Sequence, residues 1–170
     1  MLFLIGTSRV RGRISTLLLV SGLAISAYAQ RPPASPGEEM LRKYAGSYDT
    51  DALLHEPQIR ERLLRLLGEE LPHLERNLDV KGSIDVIGGV LSVSGNAPHQ
   101  GTEEEAVVCV NATNLEVSAA ILSRGIVTVY SAAGQYASLP LCVKDWITLA
   151  NSAHHDRMTK PANVRLSGAM

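Results

Sequence analysis

The sequence predicts an α+β fold, an antiparallel sheet of about five strands flanked by helices, and three observations carry that prediction. Between Pro57 and Gly68, the residues Ile59, Leu63, Leu66 and Leu67 recur at helical spacing. From Val80 onward the apolar period shortens to that of strands, and Gly or Asn punctuates each short run. After Leu139 the helical spacing returns and sets Val143, Trp146, Ile147 and Ala150 on one face. Tight connections between successive strands mean antiparallel pairing, and amphipathic helices on either side of the run must bury their apolar faces on that sheet.

Ahead of these elements the chain reads as an export leader and a spacer. Arg9, Arg11 and Arg13 form a basic region without an acid, "ISTLLLVSGLAISA" follows as an apolar core, and Ala27-Tyr28-Ala29 supplies the small residues a signal peptidase reads. The apolar run is short for a membrane span, its right flank is small and neutral, and no Cys near the cleavage site offers a lipid attachment point. Residues 1–29 are therefore expected as a signal peptide of bacterial style, and the protein as periplasmic or secreted, with no membrane attachment after cleavage. Residues 30–39, "QRPPASPGEE", hold three prolines and are expected as a linker. A single α+β domain over residues 40–156 and a C-terminal tail over 157–170 complete the reading. Cleavage removes three arginines and no acid, leaving 13 basic against 17 acidic residues and a net charge of −4. That mild acidity, with no basic block, offers nothing to nucleic acid or to anionic lipid. The one Phe lies in the leader, so the core must be aliphatic.

Within the domain, Tyr44 and Tyr48 around Gly46 are expected to pack its start against the core. Pro57 suits the first turn of a helix that Gly68 stops, and a shorter helix follows around Leu71–Leu78 with Pro72 near its first turn. Arg60, Arg62 and Arg65 alternate with Glu56, Glu61, Glu69 and Glu70, the mark of a solvated helix face rather than a nucleic-acid stripe. "SIDVIGGVLSVSG" reads as a hairpin turning at Gly88-Gly89. "EAVVCVNA" and "LEVSAAILS" are strands joined by a turn at Thr113-Asn114, and "GIVTVYSAAGQYASLP" gives one more strand and a loop.

Tests for chemistry mostly return structural readings. "IGGV" lacks the lysine and the following helix of a phosphate loop, and no G-x-S-x-G elbow occurs. His154, His155 and Asp156 in "SAHHDR" resemble a metal cluster, but adjacent histidines on a helix point in different directions, so a solvated helix end accounts for them. No cofactor and no metal are expected. In "GTEEEAV" only Glu103 and Glu105 share a strand face, and charged residues at a strand end serve as gatekeepers against edge pairing. A hydrolase built on His99 with Glu103 or Glu105 would lack a nucleophile or a metal set, so the chain is not read as an enzyme. For Cys109 and Cys142, two readings stand side by side. An even cysteine count in an exported chain favours a disulfide, whereas the apolar surroundings "AVVCV" and "LPLCV" suit small buried hydrophobes. Neither Cys has a second ligand at zinc spacing.

One stretch remains, "SGNAPHQGTEEEAVVCV", which puts Asn, Pro, His and Gln on a turn before three glutamates. Asn96, Pro98 and Gly101 are turn-formers, so Ala97, His99 and Gln100 are expected to be displayed. Pro98 fixes its own φ and restricts Ala97, which stiffens the loop, and a stiff loop loses less entropy on docking than a flexible one. Asn96, Pro98, His99 and Gln100 are the expected partner-binding residues.

The strand–"GNAPHQG"–strand arrangement resembles the periplasmic inhibitors of vertebrate lysozyme. That resemblance implies a secreted α+β protein whose displayed loop carries a Pro-His pair followed by an acid, closed by a disulfide, with the His entering the lysozyme cleft. Pro98 and His99 match the pair, Gln100 takes the place of the acid, and Asn96 and Gly101 stand where the family has its two loop cysteines. The implied partner is a lysozyme-like glycoside hydrolase, and the implied mechanism sets an imidazole between its two carboxylates, with hydrogen bonds that strengthen when the ring is protonated. The alternative, favoured by the missing loop disulfide, is a periplasmic binding or structural domain of the same fold whose loop meets another envelope component. A homodimer is compatible with either.

Overall fold

The structure, a computed structural model, describes residues 35–152 and 155–168; the expected signal peptide, the first half of the expected linker and His154 lie outside them. Among the described residues, four helices come first. Helix α1 (Pro36–Tyr44) opens inside the segment expected as linker, because Ser35 and Glu38 form a reciprocal capping box, Ser35 Oγ taking the Glu38 amide at 3.2 Å and Glu38 Oε2 the Ser35 amide at 3.0 Å. Helix α2 (Thr50–Leu54) leads to α3 (Pro57–Leu67), which has Pro at its N-terminus and Ile59, Leu63 and Leu67 buried at helical spacing. Gly68, at φ 54°, ends α3, and a single 3-10 turn over Gly68–Glu70 passes the chain into α4 (Leu71–Arg76), which buries Leu71 and Leu74.

Seven strands follow among the described residues, two more than the sequence period announces. They are β1 (Val80–Lys81), β2 (Asp85–Ile87), β3 (Val90–Asn96), β4 (Glu104–Asn111), β5 (Val117–Ser123), β6 (Ile126–Ser131) and β7 (Val164–Gly168). The order across the sheet is β1–β3–β4–β5–β6–β7, with β2 also paired to β3. Every pairing is antiparallel except β6 with β7. The β2–β3 hairpin turns at Gly88 and Gly89, both left-handed at φ 58° and 81°, as a two-residue turn of the favoured twist requires. Helix α5 (Leu141–Ala150) lies in the crossover between β6 and β7, the kind of connection a parallel pair needs. Strand β7 falls in the segment expected as tail, and β1 is only a two-residue bridge; these account for the difference in strand number.

Helices cover the sheet on both faces. In β4 the run Ala106–Val110 is buried throughout, and its alternate residues go to two separate cores. Ala106, Val108 and Val110 meet the side chains of α1 to α4, with Ile59, Leu63 and Leu74 among them. Val107 and Cys109 meet Val143, Trp146 and Ile147 of α5. A strand buried on both faces loses the polar alternation of a half-exposed one, so its sequence reads as one apolar run. The Cys109–Cys142 disulfide ties α5 to the middle of the sheet. Of the two tyrosines expected to pack the start of the domain, Tyr44 is buried and gives its hydroxyl to Glu56 Oε1, but Tyr48 is 78 % exposed. Gly46, at φ 72°, turns the chain between them, and Ser47 and Ile84 rather than Tyr48 carry the backbone contact.

Candidate functional site

Strands β3 and β4 pair as far as Asn96 with Glu105, and residues 97–103 form the loop beyond that pair. Two consecutive turns build it. In the first, the Gln100 amide donates to Ala97 O at 3.0 Å, with Pro98 second and His99, at φ 61°, third. Pro in the second place and a positive φ in the third are the pattern of a type II turn. In the second turn, the Glu103 amide donates to Gln100 O at 3.2 Å, and Thr102 holds the left-handed position at φ 72°. Neither His nor Thr relieves the steric conflict of that region as Gly does, so each costs roughly 1–3 kcal/mol and persists only where the surroundings hold it.

What holds it is a set of hydrogen bonds on both sides of the strand pair. Asn96 Nδ2 donates to Ala97 O at 2.8 Å, the Ala97 amide to Glu104 O at 2.9 Å, the Glu104 amide to Gln100 O at 2.9 Å, and the Thr102 amide to Glu105 Oε1 at 2.7 Å. A Cβ on Gly101 would stand 3.9 Å from Asn96 Cγ, so the two residues face each other across the base of the loop. Pro98, His99 and Gln100 are exposed at its outer end, and Asn96 is half-buried at its base. Ala97, expected to be displayed, is instead 2 % exposed. The restriction that Pro98 places on it keeps it extended, so it continues the strand and its methyl turns inward.

The three glutamates divide their work. Glu103 is exposed, and Glu105, the carboxylate that a hydrolase would pair with His99, is committed to the Thr102 amide. Glu104 lies on the same face as Ala106 and Val108, under helix α4, with its side chain 14 % exposed. Ser123 Oγ donates to its Oε1 at 2.6 Å, while Oε2 takes His73 Nε2 at 3.0 Å, Asn77 Nδ2 at 3.1 Å and Arg76 Nη2 at 3.3 Å. Burial works to raise its pKa, but the hydrogen bonds from His73, Ser123 and Asn77 outweigh it and hold the carboxyl at about 2. Sequence reasoning read these glutamates as gatekeepers and missed the clamp. The signal was the strand period, which puts Glu104 on a core face where a charge demands partners.

On the α5 side, a groove of about 640 Å³ runs along the loop base between Val80, Asn96 and Glu105 and the helix residues Trp146 and Leu149. Leu149 is 78 % exposed, which leaves an apolar rim next to the displayed turn. Among the described residues no three His, Cys, Asp or Glu side chains are grouped to hold a metal ion, and no helix is long and apolar enough to cross a membrane.

Searches of curated proteins and of solved structures return no match for the chain. The family model described as Inhibitor of vertebrate lysozyme (Ivy) matches residues 58–153, a stretch that starts one residue into α3 and takes in the displayed loop, both cysteines and α5. That match covers more than half of the chain, and the protein belongs to the inhibitor of vertebrate lysozyme family.

Proposed function

We propose that the protein inhibits a lysozyme-type glycoside hydrolase by seating the Pro98–His99 turn in its cleft. The observation that carries this reading is the turn itself: an exposed imidazole held at φ 61° on the outer end of a hydrogen-bonded loop, in a member of this family. A glycosidase of this type keeps two carboxylates on either side of the scissile bond. An imidazolium donates from both ring nitrogens and can bridge such a pair, while the exposed Gln100 amide adds a donor beside it. Because the turn is fixed before binding, little entropy remains to be lost on docking, which offsets the absence of a loop disulfide. The protein works as an inhibitor rather than a catalyst, from the periplasm or outside the cell.

Titration of the purified protein against an animal-type lysozyme lysing bacterial cell walls tests the reading. Stoichiometric inhibition that disappears in His99→Ala supports it. Full lysis at micromolar protein rejects it and leaves an envelope partner to be found by pull-down.

A further inference from the structure

Resting on that reading, we infer that Glu104 is the positioning residue of the inhibitory loop, with helix α4 as its anchor. Both ends of the Pro98–His99 turn hang on this one residue, since its carbonyl takes the Ala97 amide and its amide goes to the Gln100 carbonyl, each at 2.9 Å. Its carboxylate is in turn fixed by donors from α4 and the residue after it and from β5. Asn77 is fully buried and reaches on from Glu104 to the carbonyls of Glu105 and Leu122, so the end of α4 is fastened across β4 and β5 directly beneath the loop. The groups facing Glu104 are the Arg76 guanidinium and the His73 ring, and His73 is shared with Glu70 at 3.2 Å. Two left-handed residues in a loop closed without a disulfide need such an outside anchor, because a free hairpin end would relax to easier φ values.

The test compares Glu104→Gln with the wild type, and both with variants that also carry Asn96→Cys and Gly101→Cys in oxidised form. Two readouts are taken: lysozyme inhibition, and amide hydrogen exchange at Ala97, Gln100 and Glu104 relative to Val93 and Val108 in the strands. Loss of a charge-assisted set of bonds should speed loop exchange and weaken inhibition about ten-fold or more, with strand exchange unchanged. Covalent closure of the loop should restore both. Loop exchange that stays at the wild-type rate, or rises equally throughout the sheet, overturns the inference, as does failure of the closed loop to restore slow exchange. Exchange needs no lysozyme, so a wild type that inhibits nothing defeats the proposed function while the positioning role is still decided. If Glu104→Gln does not fold, Ser123→Ala and His73→Ala each remove one donor and carry the same comparison.

Discussion

Asn96 and Gly101 face each other across the base of the displayed loop, a Cβ on Gly101 lying 3.9 Å from both Cγ and Nδ2 of Asn96. The resemblance to the lysozyme inhibitors aligns these two positions with the cysteines expected to close the loop in that family. Gly101 does not take a positive φ, so a side chain there meets no backbone conflict. The double variant Asn96→Cys with Gly101→Cys is therefore expected to oxidise in air, since the two side chains would face each other. Closing so short a ring adds roughly 2 kcal/mol at most. Tighter inhibition, with the gain lost on reduction, is the expected result; persistence of two free thiols in air would contradict the geometry.

His99 combines exposure with a backbone conformation that disfavours it. Replacing it with Ala should abolish inhibition and change stability by no more than about 0.5 kcal/mol, as for a surface residue. Replacing it with Gly should abolish inhibition too, yet stabilise the fold by up to about 1 kcal/mol, because only Gly occupies that region freely. Denaturant unfolding of the three proteins checks the order. A His99→Gly variant less stable than His99→Ala would mean that the left-handed turn is not strained.

Much of the fold was legible because its signals are local. Ile59, Leu63 and Leu67 with Pro57 and Gly68 mark α3 on their own, and Gly88-Gly89 between two apolar runs marks the β2–β3 hairpin. Strand β7 was not legible: it has five residues, follows Pro161, and pairs with β6 from across a whole helix. The turn-formers around His99 gave away the loop tip, but not the inward turn of Ala97 or the left-handed φ of His99 and Thr102, since neither residue type announces one. The strand period marks Glu104 as a charge that needs partners, but the identity of those partners was out of reach. Its donors stand 31 residues before it at His73 and 19 after it at Ser123, and only the folded sheet brings them together.

The Cys109–Cys142 bridge spans 33 residues and ties β4 to α5, with both residues 1 % exposed. On a chain-entropy account a ring of that size restricts the unfolded state by roughly 3–4 kcal/mol. Reduction should lower the stability by about that amount and require denaturant to proceed, because the sulfurs are out of reach of solvent. Thiol titration under denaturing conditions without reductant should find none. Two titratable thiols there would mean that the cysteines pack as free hydrophobes.

Glu104 makes a specific prediction for acid. Its folded carboxyl sits at about 2 against an ordinary 4.5, so the charged form is the one the fold favours. Stability from this group is therefore complete above about pH 5, falls as the unfolded chain begins to keep a proton that the folded chain does not, and is gone near pH 2. A depression of that size corresponds to about 3 kcal/mol. Glu56 is also lowered, by hydrogen bonds from Lys43 and Tyr44, so wild-type unfolding alone would not isolate Glu104. The difference between wild type and Glu104→Gln does, since Glu56 is common to both. That difference should be largest near neutral pH and shrink steadily from pH 5 to pH 2. Equal spacing of the two unfolding curves across that interval would show that the carboxylate is not held by its four donors, and the anchor proposed for the loop would fall with it.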